Sequence, residues 1–205
     1  MGDNYRIIYI HVPMATMMEG CMWMLALMSL GVLVWNIKMA DMVAKAAAPV
    51  GAWATALTLA SGSLWGIPTW GTWWIWDARL TSTLIMLFLY GGIIALRGAF
   101  DSIDSGARAC AVLSLVGVVN LPIIKYSVDW WNTLHQGASN LSLSDRAANP
   151  PEVWLPAFFV GFGILGFFLI ALILRTRNEI LVRERRSQWV KDLINGSGQE
   201  EVNNA

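Results

Sequence analysis

Long apolar runs separated by short polar stretches dominate the chain. A membrane-spanning helix needs about 20 mostly apolar residues, and five runs qualify: Pro13–Ile37, Ala46–Leu64, Leu80–Leu96, Ala107–Ile124 and Trp154–Leu174. Pro13, Pro49 and Pro156 fall in the expected first turns, where a missing N–H costs nothing. Pro122 falls near a span's end, where it kinks or stops a helix. Ala48, Ala52, Ala56 and Ala60 recur at four-residue spacing, a small-residue stripe suited to close helix packing. The pattern predicts an all-α polytopic transmembrane bundle of about five spans. It forms one membrane domain over residues 1–190, followed by a polar tail, 191–205, expected to be disordered.

Composition agrees. Of 205 residues, 56% are hydrophobic and 14% charged, against about 25% charged in soluble domains, and the mean hydropathy is +0.52. That length leaves no room for a separate soluble catalytic domain. A net charge of zero gives no bulk attraction to nucleic acid. Cys21 and Cys110 sit in apolar stretches and form neither a CxxC pair nor a CxxCH heme-attachment site, so they read as small buried hydrophobes.

Lysine and arginine set the expected orientation. Lys38, Lys45, Arg97, Arg108, Arg175, Arg177, Arg183, Arg185, Arg186 and Lys191 collect on one side, against Arg6, Arg79, Lys125 and Arg146 on the other. The richer side is expected to be cytoplasmic and includes the C-terminal tail. The N-terminus and the loops 65–79 and 125–153 are then expected outside. An N-out start without a signal sequence, with an odd number of spans, predicts a further helix preceding this chain.

The outer side gathers the candidate chemistry. Trp65, Trp70, Trp73, Trp74 and Trp76 fall within twelve residues. Two readings stand: an aromatic belt anchoring helix ends at the headgroups, or, because Gly-x-Pro and Trp-Gly turns spread the rings, a platform for a large flat apolar ligand. The only two histidines, His11 and His135, flank this loop from different segments. Neutral imidazole is a common axial ligand of heme iron. Structural zinc wants four ligands, and no Cys or further His lies nearby. A proton-relay pair explains none of the aromatics. Asp77 either caps the following helix or orients the loop or a ligand, and Arg79 or Arg6 is a candidate partner for a heme propionate. Glu19 lies about two turns into the first span, where an acid is costly. It is read as facing a wet cavity near His11 or pairing with Arg79.

WGTWWIWDARLTS at 70–82 resembles the signature of the WWD heme-handling proteins. YRIIYIHVP at 5–13, GVVNLPII at 117–124 and WWNTLHQG at 130–137 closely resemble one branch, the cytochrome c maturation protein C family, also called heme exporter protein C. The resemblance runs from about residue 4 to residue 190. It implies a multi-pass protein of the bacterial inner membrane that binds heme b at the periplasmic face and presents it to a periplasmic heme chaperone, maturation protein E. It also implies association with three further maturation proteins: A, which binds ATP; B, which is embedded in the membrane; and D, which is small. By position, His11 and His135 match the family's two iron ligands. Trp70, Trp73, Trp74, Trp76, Asp77, Arg79, Trp130 and Trp131 are the expected remainder of the site. The family usually has six spans and a tryptophan shortly after the His-Val-Pro segment. This chain has five, and reads Met14-Ala15-Thr16-Met17-Met18-Glu19 there.

The expected role is presentation of heme rather than catalysis. No P-loop appears, so ATP work falls to a partner, and no nucleophile–base pair suggests an enzyme. A transporter component that moves heme across the membrane is the alternative, and it predicts ligand residues along a path through the bundle. The inner half of the sequence offers no histidine. A lyase component of a cousin WWD system is the other rival, but such proteins are longer, with more spans and further histidines.

Overall fold

The computed structural model describes residues 3–131, 133–135 and 151–203. Among them all regular structure is helical. A 3-10 turn at Asp3–Ile7 leads into α1 (Ile8–Trp35), followed by α2 (Lys38–Trp70), α3 (Ala78–Arg97), α4 (Ile103–Val118), α5 (Asn120–Trp130), α6 (Pro151–Arg183) and α7 (Gln188–Asn203). Five stretches are long and apolar enough to cross a membrane: Asn4–Trp35, Lys38–Trp70, Ala78–Arg97, Ile103–Trp130 and Pro151–Arg183. The expected all-α bundle of five spans is therefore present, with α4 and α5 forming one span broken at Val119, just before Pro122.

Several expected boundaries move, because a helix need not end where its hydrophobicity does. Helix α1 begins at Ile8, α2 at Lys38 and α6 at Pro151, so Pro13, Pro49 and Pro156 are interior rather than first-turn residues. Helix α2 also runs through Pro68 to Trp70 and stops at Gly71 (φ 75°), a left-handed position that suits glycine. The expected loop 65–79 thus shrinks to 71–77. At the second loop, α5 continues to Trp130, so the loop begins at 131 rather than 125. Asn132 and residues 136–150, including Gln136, Gly137 and Arg146, lie outside the described residues. Helix α7 occupies most of the stretch expected to be a disordered tail, and it anchors through Val190, which is buried.

Helices α1, α2, α3 and α4 pack together, and α6 lies against α1 and α2. The core centres on Met18, Met22, Leu25, Ala47, Ala54, Met86 and Tyr90. Tyr90 crosses directly over Gly51, where a Cβ would come within 2.3 Å of its ring, and its hydroxyl donates to the Met18 carbonyl at 2.7 Å. The buried face of α2 is Ala47, Gly51, Ala54, Thr58 and Ser61. The expected alanine stripe drifts away from it, and Ala60 is exposed, because a strict four-residue spacing slips around a helix of 3.6 residues per turn. Cys21 and Cys110 are free and buried, as expected. Large apolar side chains such as Trp53, Phe88, Phe159 and Phe167 cover the outside of the bundle, which suits hydrocarbon as the solvent.

The two ends of the bundle differ. At one end, buried Asp41 of α2 accepts from both Arg97 of α3 and Arg183 of α6. Lys38–Glu184 (3.3 Å) and Lys45–Glu179 (2.6 Å) extend this seam. Asn36, left-handed at φ 53°, closes the tight α1–α2 turn and accepts from Arg108 at 3.0 Å. The opposite end carries the tryptophan cluster of residues 65–76, Trp130, Trp131 and both histidines.

Candidate functional site

At the tryptophan end, the start of α1, the end of α2, the start of α3 and the segment after α5 enclose a cavity of about 280 Å³. His11 enters from α1. Its Nδ1 lies 3.0 Å from Ser61 Oγ of α2, and its ring meets Trp65 edge-on, with centroids 5.8 Å apart. Gly62 lies directly behind: a Cβ there would sit 3.0 Å from His11 Cε1. Tyr5 meets the same indole edge-on at 6.3 Å.

The Ser61 hydroxyl fixes the tautomer of His11. Its oxygen is 2.7 Å from the Leu57 carbonyl and 3.2 Å from the Thr58 carbonyl, so its single proton is directed to the backbone. Ser61 therefore accepts from His11, which puts the imidazole proton on Nδ1 and leaves a lone pair on Nε2.

His135 reaches the same state by another route. Its Nδ1 lies 2.8 Å from Asp77 Oδ2, and a carboxylate only accepts. Asp77 is the N-cap of α3, and its Oδ1 accepts from the Leu80 N–H at 2.7 Å. Burial pushes the Asp77 carboxyl up. The hydrogen bonds from His135 and Leu80, with the charge of Arg79, outweigh it and hold the group below its usual range. An ionised Asp77 keeps the His135 proton on Nδ1 and its Nε2 bare. Asp77 thus caps α3, as one reading of the sequence had it, and holds His135 with its other oxygen.

Trp70, the last residue of α2, packs against His135 with centroids 4.7 Å apart. The chain then turns back over the helix end. Here Gly66 is indispensable, since a Cβ would lie 2.8 Å from the Thr72 carbonyl oxygen. Thr72 braces the turn, its hydroxyl donating to the Trp74 carbonyl at 3.1 Å. Arg79 folds onto α5, donating from Nε to Ser127 Oγ and from Nη2 to the Lys125 carbonyl, both at 3.3 Å.

Of the expected site residues, His11, His135, Trp70 and Arg79 line the cavity, and Asp77 stands behind His135. Trp73, Trp74 and Trp76 do not line it. They form a neighbouring cluster, with Trp74 and Trp76 edge-on at 5.3 Å, and Trp73 and Trp76 are 64% and 74% exposed. The reason is the longer α2: the tight turn at Gly71 carries these rings past the cavity mouth. Trp130 and Trp131 are also outside the lining, exposed and packed on each other, with Trp130 stacked on Tyr126 at 5.5 Å. Glu19 does face the cavity, as one sequence reading had it, and so does Lys125.

Thr58, Gly62 and Ser63 line the cavity without having been singled out for it, Trp65 lines it as a member of the tryptophan cluster, and Ser61 supports it. Their signal was a polar and small face on an apolar helix. Thr58, Ser61, Gly62, Trp65 and Thr69 recur at three- and four-residue spacing, legible once α2 is continued to Trp70.

The family model described as heme exporter protein C matches residues 1–191. The chain is 49% identical to heme exporter protein C of Escherichia coli (strain K12) over 197 residues, covering 94% of this chain and 77% of that protein. The protein of the same name from Haemophilus influenzae is 44% identical over 192 residues, covering 94% and 78%. That from Bradyrhizobium diazoefficiens is 47% identical over 186 residues, covering 91% and 70%.

Proposed function

The chain belongs to the heme exporter protein C family, and from that premise we propose that it binds heme at the tryptophan end of its bundle and presents it there for c-type cytochrome assembly. The observation that carries this reading is the pair of imidazoles in one cavity, each with its proton held on Nδ1 and its Nε2 lone pair free of that proton. Neutral imidazole with a hydrogen-bonded second nitrogen is what a ligand histidine requires. Indoles at Trp65 and Trp70 give the apolar wall a porphyrin needs, and Arg79 gives a cation for a propionate. The donor set therefore fits heme, with His11 and His135 as iron ligands.

The way the cavity ends supports presentation rather than passage through the membrane. Its lining stops at Met18 and Glu19 of α1 and Thr58 of α2. Beyond that level Met22, Leu25, Ala47, Ala54, Met86 and Tyr90 are buried in a packed core. A cavity of about 280 Å³ is at the small end for ligand sites, which run from about 300 Å³ upward, so a porphyrin seated there keeps an edge exposed. The exposed rings of Trp73 and Trp76, on the turn that follows Trp70, add apolar surface at the same end. That edge is what the periplasmic heme chaperone, maturation protein E, receives. The tryptophan end faces the periplasm of a bacterial inner-membrane protein, because the opposite end carries most of the lysines and arginines. ATP-driven steps belong to the ATP-binding partner, maturation protein A, working with maturation proteins B and D.

The test is the full chain in detergent, titrated with hemin, against His11→Ala, His135→Ala and the double variant. Wild type is expected to give a bis-histidine Soret band and retain heme through purification. Each single variant shifts the band, and the double variant loses it. An unchanged spectrum and unchanged retention in the double variant would sink the ligand assignment. Loading of the chaperone with and without this protein then separates presentation from scaffolding.

A further inference from the structure

The cavity contains charges that iron ligation does not use. Arg79, Lys125 and Glu19 all line it, and they come from α3, α5 and α1. Arg79 is fixed: two of its N–H groups go to Ser127 Oγ and to the carbonyl of Lys125 itself. That second bond ties the Arg79 head group to the stretch of α5 that carries Lys125, whose side chain also lines the cavity. A guanidinium has five N–H donors, so three remain beyond those two contacts. Lys125 makes no ion pair among the described residues. Asp77, the neighbouring acid, is committed to Leu80 and His135, and Asp129 is exposed and outside the cavity lining. Two cationic side chains on the lining of one apolar, indole-walled space favour an anion that enters it. Glu19 is the cavity's own acid, and it too makes no ion pair among the described residues.

We propose that Arg79 and Lys125 form a paired-cation subsite for the two propionate carboxylates of the porphyrin, with Glu19 as the opposing acid that weakens their hold. The proposal rests on the heme-binding reading and adds Lys125 and Glu19 to it. Two propionates leave a porphyrin from adjacent positions on one edge, so neighbouring cations on one wall match them. The edge away from that wall is then the one left outward. Glu19 interacts with both cations and repels a carboxylate, so the site binds heme less tightly than its cations alone allow. A protein that must give its ligand away benefits from such a limit.

The experiment titrates the full-length chain in detergent with hemin and, separately, with hemin dimethyl ester, which keeps the iron and the ring but lacks both carboxylates. Wild type is expected to prefer hemin. Lys125→Met cuts that preference about fivefold with the Soret maximum unmoved, and Lys125→Arg restores it. Glu19→Gln raises hemin affinity a few-fold and leaves the diester alone. A hemin-to-diester ratio that is the same in wild type, Lys125→Met and Lys125→Arg, with histidine-dependent binding intact, overturns the proposal alone. Binding of both ligands that does not depend on His11 or His135 removes the heme reading and this subsite together.

Discussion

Asp77→Asn tests the claim that one carboxylate both starts a helix and sets a ligand's tautomer. The two oxygens of Asp77 are both committed: Oδ1 to the Leu80 N–H at 2.7 Å and Oδ2 to His135 Nδ1 at 2.8 Å. Asparagine has one accepting oxygen and one donating nitrogen, so it serves only one of these partners in the same way. The Leu80 N–H is fixed by the α3 backbone, whereas an imidazole can exchange its proton between nitrogens. The amide oxygen therefore stays on Leu80 and the amide nitrogen turns to His135. Nδ1 of His135 must then accept, its proton moves to Nε2, and the nitrogen meant for iron is blocked. Loss of such a supporting partner costs about 10- to 100-fold in metal affinity, or about 1.4–2.8 kcal/mol. The cap survives, so the unfolding midpoint barely moves. Asp77→Ala loses both bonds and adds about 1 kcal/mol of helix destabilisation. Hemin titration at the Soret band, with thermal unfolding in the same detergent, measures both quantities. The pH dependence is also specified. A carboxyl held below its ordinary value gives a contribution complete above about pH 4 and lost as pH falls through the depressed value. Acidification to about pH 5 thus leaves Asp77 ionised. Asp77→Asn with wild-type hemin affinity would refute the tautomer argument.

Two further outcomes follow from the packing. Gly62→Ala puts a methyl group 3.0 Å from His11 Cε1; the ring must shift by a few tenths of an ångström. Hemin affinity is expected to fall several-fold with little change in unfolding temperature, read from the same titration. Asp41→Ala takes the buried carboxylate from Arg97 and Arg183, both mostly buried, at the opposite end, and leaves Arg183 only the exposed Asp104 at 3.7 Å. Removing one partner of a buried ionic cluster costs about 3–5 kcal/mol, seen as a lower unfolding temperature, while hemin affinity per folded molecule is unchanged because Asp41 is remote from the cavity.

The five spans were legible because hydrocarbon thickness demands a fixed length of apolar chain, and each crossing reverses direction. That parity alone brings His11, Trp70, Asp77 and His135 to one end. The ends of the helices were not legible, because hydropathy reports contact with lipid rather than helical geometry. Proline was the main misdirection at Pro13, Pro49, Pro68 and Pro156, all interior to helices. In a membrane bundle, neighbouring hydroxyls and packing absorb a missing backbone bond. Asp41 has no mark in the sequence either, because its two arginines come from α3 and α6.

The tryptophans show where counting residues stops and direction begins. Five rings in twelve residues suggested one platform, yet a single left-handed glycine divides them. Before Gly71 the rings belong to a helix, and Trp65 and Trp70 face the histidines. After it they belong to a turn that carries Trp73 and Trp76 into the open. The same limit applied to the histidines. Their convergence followed from span parity, but whether an imidazole can ligate depends on what holds its other nitrogen. At His11 that is a serine whose proton goes to the Leu57 and Thr58 carbonyls, so it has none to donate. At His135 it is a helix-capping carboxylate, which has none at all. Neither Ser61 nor the second oxygen of Asp77 has any mark in the sequence that ties it to a histidine, and both assignments come from backbone constraints: the back-bond of a serine inside α2 and the first turn of α3.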